Sequence, residues 1–249
     1  MYDLHCHILP ELDDGSTSIE ETLEMIRIAV RSGVNKIVCT PHRKDVSENT
    51  SVYKVLQLVD DLNRYLIKEG IDCELFSGME NHLDDQLTGD ILKGKALSIN
   101  QTRYALVEMP FFGGEDSIIN QLDDLLSQNI TPVLAHPERI EAVQSNPDLL
   151  YEFVEKGILN QITAGSLLGF FGEKVQSFTE TMLSMNLAHI LASDCHSSSG
   201  DRSPNLDLGV AKCIELVGDF KTMAMVIDTP KLVLNNKLVD IPSPSSGKR

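Results

Sequence analysis

Apolar and polar positions along this chain switch repeatedly between two periods. Short runs rich in Val, Ile and Leu are typical of buried strands at residues 2–8, 34–40, 71–77, 104–108, 131–135, 158–162 and 187–192. Longer stretches with apolar residues three and four apart predict helices at residues 16–32, 52–69, 117–129, 147–156, 172–186, 207–216 and 219–234, the last of them interrupted by Pro230. Strands that alternate with helices predict an α/β protein with a parallel sheet and right-handed crossovers.

The length of the chain narrows the architecture. A chain of 249 residues is typical of a (β/α) barrel, and none of the predicted strands leads into the glycine-rich phosphate turn of an open dinucleotide-binding sheet. We therefore expect a closed or distorted barrel. Residues 1–240 contain no repeat or linker and are expected to form one domain, whereas the Pro- and Ser-rich residues 241–249 are expected to be disordered.

Composition limits the possible functions. Apolar residues make up 42 % of the chain and charged residues 23 %, as in an ordinary soluble globular protein. There is no apolar run of about 18 residues and no signal-peptide pattern, so we expect a cytoplasmic protein without stable membrane insertion. The formal net charge of −16 argues against a nucleic-acid partner, because a phosphate backbone needs a basic surface. The five cysteines lack CxxC spacing, which argues against a disulfide framework or a zinc ribbon.

Side chains that can bind metals lie at or just after the carboxyl ends of the predicted strands, and they include five of the seven histidines. They are His5, His7, His42, Glu80, Glu108, His136, Asp194 and His196, and the acidic turn Asp13-Asp14-Gly15 follows the first strand. Barrel enzymes place their chemistry at the carboxyl ends of strands, and mixed imidazole and carboxylate ligands suit a divalent transition metal. The alternative is that these are hydrogen-bonded core residues. We expect that role for His189, which lies within a strand, and His82 fits either role.

The period of a strand also predicts the environment of three cysteines. Successive side chains point to opposite faces, so His5 and His7 share one face and Cys6 points to the other. Asp194 and His196 flank Cys195 in the same way. We therefore expect Cys6, Cys39 and Cys195 to pack against the helices as small, unreactive core residues.

Five short motifs stand out: His5-Cys6-His7, Thr40-Pro41-His42, the isolated Glu80, His136-Pro137-Glu138-Arg139 and Asp194-Cys195-His196. Together they resemble the motifs of the polymerase and histidinol phosphatase (PHP) family. HxHILPxxDDG at residues 5–15, RYALxE at 103–108 and QITAGSLLG at 161–169 are similar to segments of one branch. That branch comprises the manganese-dependent protein-tyrosine phosphatases of Gram-positive capsule and exopolysaccharide loci. The resemblance runs from residue 1 to about 235 and implies a distorted (β/α)7 TIM-like barrel of PHP type.

The resemblance also implies a three-metal site, with two to three ions bound, Mn²⁺ first and Fe²⁺ or Zn²⁺ as alternatives. One ion would be held by His5, His7, Glu80 and Asp194, a second by Glu80, Glu108 and His136, and a third by Asp14, His42 and His196. Arg139 matches an arginine that the family places against the phosphate, and Arg202 stands where a second one belongs. The implied reaction is hydrolysis of phosphotyrosine by a metal-bound hydroxide. The implied substrate is a phosphotyrosine protein, namely an autophosphorylated bacterial tyrosine kinase.

The sequence also bears on three alternative functions. A cysteine-based phosphatase needs a C-x5-R loop, and no cysteine of this chain has an arginine six positions later. A small-molecule phosphatase of the same family, such as a histidinol phosphatase, shares the metal chemistry and remains the alternative. A non-catalytic metal-binding regulator is disfavoured, because every expected ligand position is filled. The loop Phe111-Phe112-Gly113-Gly114 is expected to supply an apolar wall for the substrate ring, with ordinary loop packing as the alternative.

Overall fold

The structure is a computed structural model that describes residues 1–110 and 115–245. Across these ranges it contains eight strands: β1 (Tyr2–Cys6), β2 (Lys36–Cys39), β3 (Glu74–Ser77), β4 (Asn81–His82), β5 (Tyr104–Glu108), β6 (Thr131–Ala135), β7 (Leu159–Thr163) and β8 (Ile190–Ala192). Strands β1-β2-β3 form one sheet and β4 to β8 form a second, in chain order. Every pairing is parallel. The predicted parallel α/β architecture is confirmed.

The two sheets approach each other at two places. Only residues 78–80 separate β3 from β4, although these two strands belong to different sheets. Beyond the end of β8, Cys195 forms an isolated parallel bridge with Cys6. There the amide of His7 donates to the Cys195 carbonyl at 2.9 Å, and the amide of Asp194 donates to the His5 carbonyl at 2.9 Å. The seven predicted strands are all present, and β4 was missed because two residues show no periodicity.

The strands are joined by helices α1 (Ile19–Arg31), α2 (Arg43–Asn49), α3 (Val52–Glu69), α4 (Leu87–Leu92), α5 (Glu115–Ser127), α6 (Glu141–Ser145), α7 (Asp148–Glu155), α8 (Ala164–Leu167), α9 (Glu173–Ser184), α10 (Leu206–Val217), α11 (Asp219–Met223) and α12 (Thr229–Leu234). Tight 3₁₀ turns occur at Ile99–Gln101, Pro137–Arg139 and Gly200–Arg202. The long predicted helices are confirmed, whereas α2, α4, α6 and α8 were missed because one or two turns carry too few apolar repeats to recognise.

Helix termini follow ordinary capping rules. The Ser18 hydroxyl accepts the Glu21 amide at the start of α1. Gly70 ends α3 in the left-handed conformation, with φ of 66°. The helix predicted at residues 219–234 divides into α11, a π turn at Ala224–Asp228 and α12. Pro230 lies in the first turn of α12, directly after the π turn.

Two hydrophobic clusters cover the two faces of the strands. The larger one lies between strands and helices and contains Met25, Leu66 and Phe153 together with Cys6, Cys39 and Cys195. The predicted outward packing of these three cysteines is confirmed. The smaller cluster collects the alternate strand positions, Leu4, Val38, Leu106, Val133, Leu159 and Ile190. Burial on both faces is typical of parallel strands.

The end of the chain contacts the body of the protein. Residues 241–245 form neither helix nor strand. Ser245 nevertheless makes two hydrogen bonds with the body of the protein. Its amide donates to the Met185 carbonyl at 2.8 Å, and the Ser245 carbonyl accepts a hydrogen bond from the Tyr151 hydroxyl at 3.1 Å. Residues 246–249 lie outside the described residues, and disorder there stays a prediction. Within residues 1–110 and 115–245, no helix combines the length and the apolar character needed to cross a bilayer.

Candidate active site

Nine side chains with metal-binding atoms lie together at the carboxyl ends of the strands. They come from the end of β1 and the turn after it, from the segments after β2, β3, β6 and β8, and from the last residue of β5. They are His5, His7, Asp14, His42, Glu80, Glu108, His136, Asp194 and His196. The structure therefore brings together every residue that the sequence marked as a metal ligand.

The deepest part of the cluster joins β1 to the strand-end segments on either side. The Nε2 atoms of His5 and His7 are 3.1 Å apart. Glu80 Oε2 is 3.3 Å from His5 Nε2 and 3.2 Å from His7 Nε2. Asp194 Oδ1 lies 3.3 Å from His5 Nε2 and 3.7 Å from His7 Nε2. Four donor atoms thus surround one small volume that is closed to solvent.

Glu80 also contacts both flanks of this volume. Its Oε1 atom lies 2.8 Å from His136 Nε2, and Glu108 Oε1 lies 3.8 Å from the same nitrogen. On the other flank, Glu80 Oε2 is 3.1 Å from His42 Nδ1. Four imidazoles therefore share one buried carboxylate, which makes Glu80 the centre of the arrangement.

A third group of donors lies nearer to solvent. Asp14 Oδ1 is 3.4 Å from His42 Nε2 and 3.3 Å from His196 Nε2. The ring of His196 stacks on that of His7, with centroids 3.8 Å apart. Asp14 is 68 % exposed, whereas His5 and His7 are fully buried. The cluster therefore runs from a closed interior towards an open edge.

Four sets of these residues have ligand atoms that all lie within 4.8 Å of one another. The sets are His5-His7-Glu80, His5-His136-Asp194, His42-Glu80-Glu108 and His7-Asp14-His42-His196. The grouping differs in detail from the one that the sequence resemblance implies: His7 approaches Asp14 and His196 as well, and His42 approaches Glu80 and Glu108. The physical reason is that the sets share Glu80 and His7, so several neighbouring positions use the same atoms.

The carboxylates favour positive charge on the buried imidazoles. Burial by itself lowers the pKa of His7, but hydrogen bonding to Asp13 and Glu80 outweighs it and raises the pKa to about 10. For His42, the contacts with Asp14 and Glu80 likewise overcome burial and raise the pKa to about 11. In return, the hydrogen bonds from His196 and His42 hold the pKa of Asp14 far below its usual range. The carboxylates of the site therefore favour positive charge close to them.

The donor set fits divalent metal ions. Two ligand atoms at neighbouring corners around one ion, each about 2.1 Å from it, are about 3.0–3.4 Å apart. The distances among His5 Nε2, His7 Nε2 and Glu80 Oε2 lie in this range, from 3.1 to 3.3 Å. Two imidazole nitrogens at such a distance need a shared proton or a shared cation between them. A metal ion supplies the charge that the carboxylates otherwise obtain from protons, and its binding releases those protons.

Three residues to which the sequence assigned no individual role make hydrogen bonds that position the nine side chains or the strands that carry them. Asp13 Oδ2 accepts the Nδ1–H of His7 at 2.6 Å and the amide of His42 at 3.0 Å. Gln161 Oε1 accepts the Nδ1–H of His5 at 2.8 Å, while its Nε2 donates to the Ile162 carbonyl. Both contacts leave Nε2 of the histidine facing the cluster. Asp3 Oδ1 accepts the amide of Ser193 at 3.0 Å and ties β1 to the segment that carries Asp194.

The two arginines lie against the same aspartate. Arg139 Nη1 is 2.9 Å from Asp194 Oδ2 and Arg202 Nη2 is 3.3 Å from Asp194 Oδ1. Arg202 Nη2 also lies 2.5 Å from Nδ1 of His196. Arg139 is nearly buried, whereas Arg202 is 37 % exposed. Both arginines therefore border the cluster of nine side chains.

The backbone is unusual at two of the nine positions. His136 and Asp194 have positive φ angles of 33° and 54°, a region that residues with side chains rarely adopt. His136 directly follows the last residue of β6, and Asp194 stands two positions after the last residue of β8. Strained backbone persists where the surroundings enforce it, and it concentrates at functional sites.

Other residues near the site have separate positions. His82 lies in β4 with Nδ1 3.9 Å from Glu108 Oε2, and both line a cleft of about 280 Å³ with His42 and Glu80. A larger cleft of about 550 Å³ between Asp84 and Asp124 contains none of the nine residues. His189 accepts the Asn160 amide through Nδ1 at 2.9 Å, which confirms its structural role. The loop Phe111-Phe112-Gly113-Gly114 lies outside the described residues.

Burial disfavours the thiolate form of three cysteines, Cys6, Cys39 and Cys73. Cys6, Cys39 and Cys195 are buried, and all five cysteines of the chain are free. Burial raises the pKa of the Cys6 and Cys39 thiols well above the ordinary value, and it raises the pKa of Cys73 to about 12. A thiol needs a lowered pKa to act as a nucleophile.

Comparisons with known proteins agree with this geometry. A family model described as "Capsular polysaccharide synthesis, CpsB/CapC" matches residues 1–235. The tyrosine-protein phosphatase YwqE of Bacillus subtilis (strain 168) is 41 % identical over 202 residues, which cover 79 % of this chain and 78 % of that protein. Tyrosine-protein phosphatase CpsB of Streptococcus pneumoniae is 28 % identical over 244 residues, which cover 96 % of this chain and 100 % of that protein.

Solved structures give the same result. One from a study of YwqE of Bacillus subtilis and CpsB of Streptococcus pneumoniae, described there as unique metal-dependent tyrosine phosphatases, superimposes with a TM-score of 0.91 at 35 % identity over 100 % of both chains. A histidinol phosphate phosphatase of Lactococcus lactis, crystallised with zinc, L-histidinol and phosphate, gives a TM-score of 0.56 at 14 % identity. It covers 86 % of this chain and 92 % of its own, and this likeness concerns the fold alone.

Proposed function

Because this chain belongs to the capsular polysaccharide synthesis CpsB/CapC family, we propose that it is a metal-dependent protein-tyrosine phosphatase. Its substrate is an autophosphorylated bacterial tyrosine kinase that regulates capsular or exopolysaccharide synthesis. The observation that carries the proposal is the convergence of five histidines and four carboxylates beside two arginines, all at the carboxyl ends of parallel strands. A relative that is 41 % identical over 79 % of this chain is named a tyrosine-protein phosphatase, and the structure that superimposes over the whole chain comes from metal-dependent tyrosine phosphatases.

The nine residues are proposed as the metal ligands. His5, His7, Glu80 and Asp194 would hold one ion. Glu80 would also contribute to a second ion with Glu108 and His136, and Asp14, His42 and His196 would hold a third. The short distances around Glu80 support its bridging role, since its two oxygens approach different histidines. The hydrogen bonds from His5 to Gln161 and from His7 to Asp13 support Nε2 as the ligating atom of both histidines.

The proposed metal is Mn²⁺, bound as two to three ions, because mixed imidazole and carboxylate ligands suit it; Fe²⁺ and Zn²⁺ fit the same donors. When bound, divalent ions supply Lewis-acid stabilisation of a phosphoryl group and a nucleophilic water at neutral pH. Their charge also reverses the sign of the site, since three ions exceed the charge of four carboxylates. A phosphate dianion is then attracted to a protein of net charge −16.

The side chains of the chain itself bind and orient the phosphate. Arg139 and Arg202 offer paired N–H donors of the kind that match phosphate oxygens. Both lie beside Asp194, Arg139 at its Oδ2 atom and Arg202 at its Oδ1 atom. The deep position of His5, His7 and Glu80 favours a phosphate carried on a long, rigid side chain. Phosphotyrosine meets this requirement better than phosphoserine, whose phosphate stands closer to its backbone.

The proposal extends to architecture and location. We take residues 1–240 as a single domain in which the strands close into a distorted (β/α)7 TIM-like barrel of PHP type, with β3 and β4 as two parts of its third strand. Support comes from the three residues between β3 and β4 and from the bridge between Cys6 and Cys195. These contacts join the two sheets on both sides. We place the protein in the cytoplasm, where its kinase substrate is phosphorylated.

A parallel assay tests the substrate. The purified protein with Mn²⁺ is given phosphotyrosine peptides, phosphoserine peptides and histidinol phosphate, and phosphate release is measured. We expect kcat/KM for phosphotyrosine to exceed both others by at least about tenfold, or about 1.4 kcal/mol. Arg139→Ala is expected to reduce turnover of all three substrates. Arg103→Ala, which removes an exposed arginine distant from Arg139 in the sequence, is the matched control. A preference for histidinol phosphate would assign the protein to the alternative function.

A further inference from the structure

The segment that follows β7 contacts the turn that carries Arg139. The guanidinium carbon of Arg139 lies 3.7 Å from the ring centroid of Phe171. This distance places the flat guanidinium directly over the aromatic face, which is a cation–π contact. Phe171 lies between α8 and α9, in the loop that continues the QITAGSLLG segment. The proposed function leaves this segment without a role beyond the Gln161 contact.

The contacts of Arg139 leave part of its guanidinium available. Nη1 pairs with Asp194 Oδ2 at 2.9 Å. Nε and Nη2 are buried and have no hydrogen-bond partner in the protein. Phe171 covers one face of the group, so the remaining donors lie in the guanidinium plane, away from the ring. An arginine held in this way keeps unused donors beside the cluster, where a phosphate oxygen can accept them.

The position of Phe171 depends on a glycine. A Cβ atom built on Gly165 would lie 3.0 Å from Cε2 of Phe171 and 3.3 Å from Cδ2 of Phe170. Both distances are shorter than ordinary side-chain contacts, so the two rings occupy space that any larger residue at position 165 would fill. The Phe170 amide also donates to the Gly165 carbonyl at 3.0 Å. The loop is therefore closed tightly around residue 165.

The residue before Arg139 holds the other end of the same loop. Glu138 is fully buried, and its Oε1 accepts the amide of Thr163 at 2.9 Å and the hydroxyl of Ser166 at 2.7 Å. Thr163 ends β7, and Ser166 lies in α8. Two consecutive residues of one turn thus contact the loop at two points. Glu138 binds the start of the loop, and Arg139 packs on Phe171.

We propose that Phe171 is a positioning residue for phosphate binding, which holds the guanidinium of Arg139 in the orientation that receives phosphate oxygens. The inference rests on the proposed function, because that assigns phosphate to Arg139. It gives the segment from β7 to Phe171 a purpose: Gly165 makes room for the ring, and Glu138 fixes the loop on which the ring stands. A long, flexible arginine loses less entropy on binding phosphate when a neighbour has already restricted it.

The test measures binding of inorganic phosphate to the Mn²⁺-loaded protein by calorimetry, so that it does not depend on turnover. Phe171→Leu keeps an apolar side chain but removes the aromatic face. We expect it to weaken phosphate binding by about 3- to 30-fold, the range for a partly buried cation–π contact. Phe171→Tyr keeps the face and is the matched control, with binding within about twofold of the wild type. KM for an aryl phosphate should rise with the phosphate dissociation constant, while metal content stays unchanged.

A double-variant cycle separates positioning from a general structural effect. In the Arg139→Ala background, Phe171→Leu should have no further effect on phosphate binding, because its only route is through the guanidinium. An equal loss in both backgrounds would overturn the proposal, as would failure of Phe171→Tyr to retain binding. If Phe171→Leu does not fold, Gly165→Ala replaces it, since the added methyl group displaces the ring. If the protein binds phosphate through Arg139 but prefers another phosphoester, the proposed function fails and this inference stands.

Discussion

Buried histidines lie at both ends of the strands, in opposite electrostatic surroundings. At the carboxyl ends, His7 is fully buried, yet contacts with Asp13 and Glu80 raise its pKa to about 10. At the amino end of β8, His189 is also buried, at 6 % exposure. None of the described groups that shift the pKa of His189 is a carboxylate. Burial therefore dominates and lowers this pKa to about 4. Similar depth thus gives opposite charge states.

The difference teaches how depth and charge divide this molecule. Burial alone makes an imidazole neutral, which suits packing and a single hydrogen bond. Carboxylates crowded around imidazoles at the same depth demand positive charge, which protons or metal ions must supply. The environment of His189 stabilises the fold, whereas the environment of His7 favours the binding of cations. The following predictions break or sharpen this contrast.

The largest effect is expected at Glu80. Glu80→Gln keeps the shape of the side chain but removes the charge shared by four histidines. We expect at least one bound ion fewer per chain by elemental analysis and a fall in activity of more than about 100-fold, beyond the range typical of outer contacts. Glu74→Gln, a solvent-exposed position on the preceding strand, is the control. A variant with full metal content and activity would contradict the bridging role.

A smaller loss is expected at Asp13. Its carboxylate accepts hydrogen bonds from His7, His42 and Gly15, and an amide has only one oxygen to offer. Asp13→Asn should therefore release one of these donors and loosen His7. We expect metal affinity to fall by about 10- to 100-fold, measured by chelator competition. Asp85→Asn, which changes the same charge on the exposed surface, should leave the affinity unchanged.

At the opposite end, His189 should affect stability rather than metal binding. Its pKa of about 4 in the folded state lies below the value of about 6.5 expected in the unfolded chain. The stabilisation from the neutral imidazole is therefore fully present above pH ~6.5 and is lost as the pH falls towards ~4. Between pH 7 and pH 5, wild type should lose about 2 kcal/mol more unfolding free energy than His189→Gln. Urea unfolding of both metal-free proteins measures this difference, and parallel pH profiles would refute it.

The smallest effect on activity is expected one residue from the ligands. Cys195 lies between Asp194 and His196 but packs in the outer core. Cys195→Ala should cost about 1 kcal/mol of stability through a small cavity, while activity of the folded, Mn²⁺-loaded protein stays within about threefold. Replacing all five cysteines tests the same point. An inactive yet folded and metal-loaded Cys195→Ala protein would revive a thiol mechanism.

Much of the fold and the cluster could be predicted from the sequence, for physical reasons. A strand such as β5 declares itself through a short apolar run, and parallel strands must bring Glu108 and His136 to the same edge. Helix α3 has both its apolar period and a terminal glycine, and its bounds were predicted to the residue.

What the sequence did not reveal depends on contacts between distant segments. Gln161 and His5 are 156 positions apart, and no local pattern indicates that they meet. No local pattern in the sequence indicates that Phe171 contacts Arg139, which the structure places over its ring. The same holds for β4, which exists only because Asn81 and His82 pair with the end of β5.

Glu80 also has a mechanical meaning. It stands in the three-residue crossing between β3 and β4, where the chain passes from one sheet to the other. The histidines that touch it come from both sides: His5 from β1 of the first sheet, and His136 from the segment after β6 of the second. Ions bound at Glu80 would link the two sheets through side chains that belong to each of them. The cluster around Glu80 is therefore built from both sheets and is not complete in either sheet alone.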